Sequence, residues 1–112
     1  MRNIKSSRDV IIRTKKWADA VRFYESVLGF TVASRDKEMV GFETGAFRLY
    51  VEAGQPHGPV FDFLVADVAG TKARLIEAGC TVVEEDLSVP RCYLRDPFGM
   101  VFNVGRAQAS TA

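Results

Sequence analysis

Apolar and polar positions along this chain switch between two periods, and the order of the switches occurs twice. Val10-Ile11-Ile12 is a short apolar run of strand character. From Trp17 the spacing becomes helical. Trp17, Ala20, Val21, Tyr24 and Leu28 share one face, and Asp19, Arg22 and Glu25 take the other. Gly29 supplies the left-handed residue that ends such a helix. Three strand-like runs follow at residues 30–35, 38–43 and 46–52, with turns at Asp36-Lys37 and Thr44-Gly45.

Residues 53–59 hold two glycines and two prolines in seven positions, which suits a linker and neither a helix nor a ladder. The order then recurs. A strand-like run covers residues 60–65, and Asp67 is placed as a helix N-cap. Val68, Thr71, Leu75 and Ala78 form an inner stripe that stops at Gly79. Strands are expected at residues 80–85, 91–95 and 100–104, with Asp96-Pro97-Phe98-Gly99 as a tight turn. Strand–helix–strand–strand–strand therefore appears twice, over about residues 8–52 and 60–106 of a single 112-residue domain. The expected class is α+β. Two βαβββ repeats would form an eight-stranded half-open trough, with helices on its outer face and a ligand inside.

Composition narrows the partners. Hydrophobic residues make up 47% and charged residues 26%, as in an ordinary globular domain. A formal net charge of +1 gives no electrostatic argument for nucleic acid or an acidic membrane. No apolar run approaches membrane-spanning length, and the start shows no signal-type apolar region. Residues 1–8 read as a polar lead-in and residues 108–112 as a frayed tail. Cys80 and Cys92 match neither a metal spacing nor a disulfide framework, so buried thiols in a reducing cytoplasm are expected. The one histidine, His57, falls in the linker and is expected to be an exposed loop residue.

Residues 21–30, Val-Arg-Phe-Tyr-Glu-Ser-Val-Leu-Gly-Phe, and residues 93–100, Tyr-Leu-Arg-Asp-Pro-Phe-Gly-Met, resemble two marks of the vicinal oxygen chelate superfamily. That superfamily includes glyoxalase I, bleomycin-resistance proteins and extradiol dioxygenases. The first segment is similar to its helix end before a glycine, the second to its Asp-Pro-x-Gly turn before a last strand. The resemblance covers about residues 8–106. It implies the repeated βαβββ fold, and homodimers for chains this short.

The resemblance also implies that enzymes of this kind take metal ligands from the first and last strands of each repeat. Carried over by motif, those positions fall on Asp9, Tyr50 (or Leu49 if the register slips), Phe61 and Asn103. Phe61 cannot ligate, Asn103 is a weak neutral donor, and Tyr50 would have to lose its proton. A shift of one residue on the second repeat's first strand brings in Asp62 and flips that strand's faces, placing Phe61 and Phe63 under the helix. Asp9, Asp62 and Asn103 would then be an oxygen-rich set for a hard cation. With a single histidine, no two-histidine, one-carboxylate set can form. The expectation is no metal, no cofactor and no catalytic residue.

Strand alternation places Asp9, Ile11, Arg13, Arg48, Tyr50, Phe61, Phe63, Val65, Arg91, Tyr93, Arg95, Val101 and Asn103 toward the trough. From these, Asp9, Arg13, Arg48, Tyr50, Phe61, Phe63, Tyr93 and Asn103 are the candidate ligand-binding residues. Aromatic rings beside arginines suit a flat ligand with an anionic or polar group. The expected function is metal-free binding of an aromatic or antibiotic-like small molecule at a dimer-interface cleft. The alternative is a lyase, isomerase or dioxygenase-like enzyme with an atypical metal site.

Overall fold

The computed structural model describes residues 4–88 and 91–107. The element order is β1 (Lys5–Thr14), α1 (Trp17–Arg22) running into a π-helical turn (Phe23–Val27), β2 (Thr31–Arg35), β3 (Met39–Glu43), β4 (Arg48–Ala53), β5 (His57–Val65), α2 (Val68–Glu77), β6 (Thr81–Asp86), β7 (Arg91–Arg95) and β8 (Val101–Arg106). This is the α+β class and the twofold βαβββ order read from the periodicity. The chain divides into two compact units, one of residues 8–60, the other from Phe61 onward together with the start of β1.

In the first unit the strand order is β2-β3-β4-β1. β1 and β4 run parallel, while β2–β3 and β3–β4 are antiparallel. The helix covers one face of these strands. Val21 packs there with Val40, Phe42, Leu49 and Val51, and Trp17, Tyr24, Phe30 and Ile12 complete the cluster. The Trp17 indole N–H donates to the Val51 carbonyl at 2.9 Å, which satisfies a half-buried polar atom and ties the helix start to β4.

The second unit repeats the plan with the order β5-β8-β7-β6. β5 and β8 run parallel, and β7 is antiparallel to both β6 and β8. Val65, Cys80, Cys92, Leu94, Phe102 and Val104 form its core, with Phe63, Val68 and Leu75 packed against it. Asp67 is the N-cap of α2 and accepts from the Gly70 N–H at 3.0 Å, as its position before the helix predicts. Gly29 and Gly79 end the two helices at φ of 74° and 110°. A third mark of duplication lies in the ladders. Both β2 and β6 carry a register irregularity, between Val32 and Ser34 and between Val82 and Glu84.

Four expectations are corrected. β1 begins at Lys5, inside the expected polar lead-in. β5 begins at His57, so residues 57–59 belong to a strand, and His57 is half-buried in a strand rather than exposed in a loop. The first helix is not uniform. Its π turn holds one residue more than an α turn of the same height, which rotates Leu28 off the inner face and leaves it exposed. Finally, Phe63 and Val65 lie on the helix side of β5, not on the open side. The expected tail at residues 108–112 and the first three residues lie outside the described residues.

Leu94 is fully buried in the second core, so Leu94→Ala is expected to lower unfolding free energy by about 2–5 kcal/mol in urea titrations. Phe98, 93% exposed in the Asp-Pro-x-Gly turn, is expected to tolerate Phe98→Ser within about 0.5 kcal/mol.

Candidate functional site

Each sheet has one face under its helix and one free of it. On the free face of the first unit, strand pairing sets Glu43, Arg48 and Asp9 side by side, and Gly41, Tyr50 and Ile11 in the next row. Arg48 is exposed over 48% of its side chain. Its pKa is raised, chiefly by the hydrogen bond and charge interaction with Tyr50; burial opposes the rise, and the charges of Asp9 and Glu43 add to it. Tyr50 lies against Gly41. A Cβ at that glycine would stand 2.8 Å from Tyr50 Cε1 and 2.6 Å from Ser34 Oγ, so only glycine lets the ring rest there. Three of the expected binding residues, Asp9, Arg48 and Tyr50, are therefore neighbours.

Arg48 itself stands 3.7 Å from a Glu43 carboxylate oxygen, and two neighbouring arginines of β1 are ion-paired more closely. Arg13 bonds Glu52 at 3.0 Å, with side-chain exposures of only 10% and 16%. Arg8 bonds Glu43 at 2.6 Å, and Glu43 also takes the Gly45 N–H at 2.8 Å. Those two hydrogen bonds hold the Glu43 carboxyl below its ordinary value, with the charges of Arg8 and Arg48 adding to the effect.

On the free face of the second unit one row runs Glu84, Tyr93, Asn103 and Asp62. Tyr93 is on the expected face but buried. The Arg91 guanidinium sits 5.5 Å above its ring and bonds Glu84 at 3.2 Å. Asn103 bridges three strands. Its Oδ1 accepts from the Cys92 N–H at 2.9 Å, and its Nδ2 donates to Asp62 Oδ1 at 2.9 Å. A backbone N–H can only donate, so it fixes which way the amide points.

Asp62 and not Phe61 thus shares the open face with Asn103, by the one-residue shift weighed above. The reason is polar satisfaction. An Asp62 turned under α2 would lose its amide partner in an apolar core, a cost of several kcal/mol. Phe63 instead packs against Phe102 on the helix side, ring centroids 4.9 Å apart with planes tilted by 31°, which removes it from the expected binding face. Phe61 remains partly exposed. The residues missed by sequence reasoning are Glu43, Glu52 and Glu84, the acids that neutralise the arginines. Their signal is cross-strand position, visible only once the register is known.

The arrangement also tests whether the resemblance's metal fits. Asn103 turns an N–H toward Asp62, so a cation beside that carboxylate would face a donor hydrogen and not an oxygen. Among the described residues, no group of three or more His, Cys, Asp or Glu could hold a metal ion. The donor set does not fit a divalent metal. Cys80 and Cys92 are buried free thiols, and burial pushes both pKa values up.

With this geometry in view, the comparisons agree on class. The sequence matches the family model of the glyoxalase-like domain over residues 9–105, and the chain belongs to that family. The likeness to the vicinal oxygen chelate superfamily is thereby established. Among solved structures, the protein BH1468 of Bacillus halodurans C-125 superposes with a TM-score of 0.70 at 11% identity, covering 99% of each chain. Homoprotocatechuate 2,3-dioxygenase of Brevibacterium fuscum, in complex with 3,4-dihydroxyphenylacetate, gives 0.65 at 20% identity, over 97% of this chain and 38% of that one. The same enzyme from Arthrobacter globiformis gives 0.65 at 19%, with the same coverage. This chain spans little more than a third of those dioxygenases, and the likeness shows the fold alone. No curated protein matches the sequence. No helix among the described residues is long and apolar enough to cross a membrane.

Glu43 gives the site a pH dependence. Its folded value is lowered, so its contribution to stability is full above the ordinary value of 4.5 and is lost as pH falls through the folded value. Glu43→Gln is expected to flatten the decline of the urea midpoint below that pH and to leave the slope near neutrality unchanged.

Proposed function

We propose that this domain binds a small aromatic molecule carrying an anionic group on the free face of its first unit, without a metal. The observation that carries this reading is the Arg48–Tyr50 pair, an exposed guanidinium beside a half-buried ring. The guanidinium offers planar, bidentate hydrogen bonding to a carboxylate, and the phenol offers a ring face and a hydroxyl. Gly41 leaves the room that the edge of this ring occupies. The role is sequestration of an aromatic, antibiotic-like compound, since the set on the opposite unit does not suit a catalytic ion.

A homodimer belongs to the same reading. Phe47 and Phe61 are large apolar side chains left partly exposed on or beside strands, and a second copy would cover such surface. Native mass spectrometry reads this directly. A cytoplasmic setting fits the two separate, buried thiols.

The probe is 3,4-dihydroxyphenylacetate, an aromatic carboxylate and the molecule bound in the Brevibacterium dioxygenase complex. Calorimetric titration of the purified chain is expected to show binding without added metal. Arg48→Ala should weaken it about tenfold or more, the equivalent of one charge-assisted hydrogen bond. Gly41→Ala should weaken it as well, by displacing Tyr50 while keeping the charge. Equal affinity in wild type and Arg48→Ala would refute the assignment, as would binding that requires a divalent ion.

A further inference from the structure

We infer that the second unit holds a separate site for a small neutral arene, in a cavity between the end of α2 and the helix side of its sheet. The cavity measures about 250 Å³. Phe63 and Phe102 line its sheet side, Leu75 and Cys80 its helix side, and Met100 and Asp96 come from the turn before β8. It lies on the opposite side of the sheet from the Asp62–Asn103 row and is independent of the binding proposed at Arg48.

The two repeats show what is missing from it. Phe30 N–H donates to the Tyr24 carbonyl at 3.0 Å, and Cys80 N–H donates to the Leu75 carbonyl at 2.9 Å, each just after the helix-ending glycine. Tyr24 therefore corresponds to Leu75, and Phe30 to Cys80. The ladders pair Val32 with Phe42 and Val82 with Leu94, so Phe42 corresponds to Leu94. In the first unit Tyr24 and Phe30 stack at 6.4 Å with planes 6° apart, and Tyr24 meets Phe42 at 6.0 Å. In the second unit those three rings are Leu, Cys and Leu. Phe63 and Phe102 return two rings from the sheet side, tilted by 31° against each other at 4.9 Å, and leave only Leu75 and Cys80 on the helix side.

The chemistry of the space follows. A cavity of about 150 Å³ lined by Leu, Ile and Phe stays dry and takes benzene. The larger space here is open to solvent along one side, and its apolar lining suits a single substituted ring. Among the described residues, Asp96 is the only charged one on it. Its Oδ1 is turned to the Phe98 and Met100 N–H groups at 2.9 and 3.0 Å, so it serves the turn and repels an anion. Neutral arenes are favoured over aromatic carboxylates, the reverse of the preference at Arg48.

The test is titration of the full chain with toluene, with benzoate in parallel, followed by melting temperature and by nuclear Overhauser effects. Toluene should raise the melting temperature and show effects to Leu75 and Phe102 protons, and benzoate should do neither. Cys80→Phe, which restores the ring found at Phe30, should weaken toluene binding at least tenfold. Leu75→Phe serves the same end if that variant fails to fold. Arg48→Ala should leave the toluene response intact, which separates this site from the first. Absence of a toluene response in the wild type, effects confined to Tyr50, or full binding in the filled variants would overturn the inference.

Discussion

Each helix must cover the apolar face of four strands, and that obligation fixes the parity of every strand. Side chains alternate along a strand, so once Leu49 and Val51 go under the helix, Arg48 and Tyr50 go to the other side. The same rule sends Leu94 inward and Tyr93 outward. Polar residues then meet one another by register and not by sequence proximity. Arg48 finds Asp9, Arg13 finds Glu52, and Asn103 finds Asp62, over separations of about forty residues. The free faces are thus products of the core.

Most of this plan was legible in the sequence because its signals were redundant. A helical stripe, a stop glycine and a strand recur in order, so an error in one copy is checked by the other. The faces of β1, β4 and β7 were readable because each has an apolar set on one side and charges or tyrosines on the other, and that of β8 because Asn103 stands opposite Phe102 and Val104. β5 was harder. Val60 and Leu64 are apolar, and so are Phe61, Phe63 and Val65, which leaves Asp62 as the single residue that reveals the parity. The decision came from its partner, Asn103, forty-one positions away. The π turn had no signal in spacing at all, since Leu28 fits a regular helix as well as Tyr24 does.

The candidate site was legible by residue type and not by pairing. Aromatic rings and arginines mark a candidate face, but whether an arginine is available depends on the acid opposite it. Arg13 and Arg91 are neutralised by Glu52 and Glu84, while Arg48 shares Glu43 with the closer Arg8. The two units have also diverged in kind. One draws its rings from the helix, the segment after it and a strand, and the other draws them from two strands alone.

The paired irregularities in β2 and β6 reach further than register. Each lies on the strand at one end of its unit's sheet, where unpaired backbone groups invite another chain to add on. An extra residue there interrupts the evenly spaced donors and acceptors and sharpens the local twist. A neighbouring molecule finds no flat template for continuing the ladder. Fibre-like growth is thereby discouraged at each of these two strands.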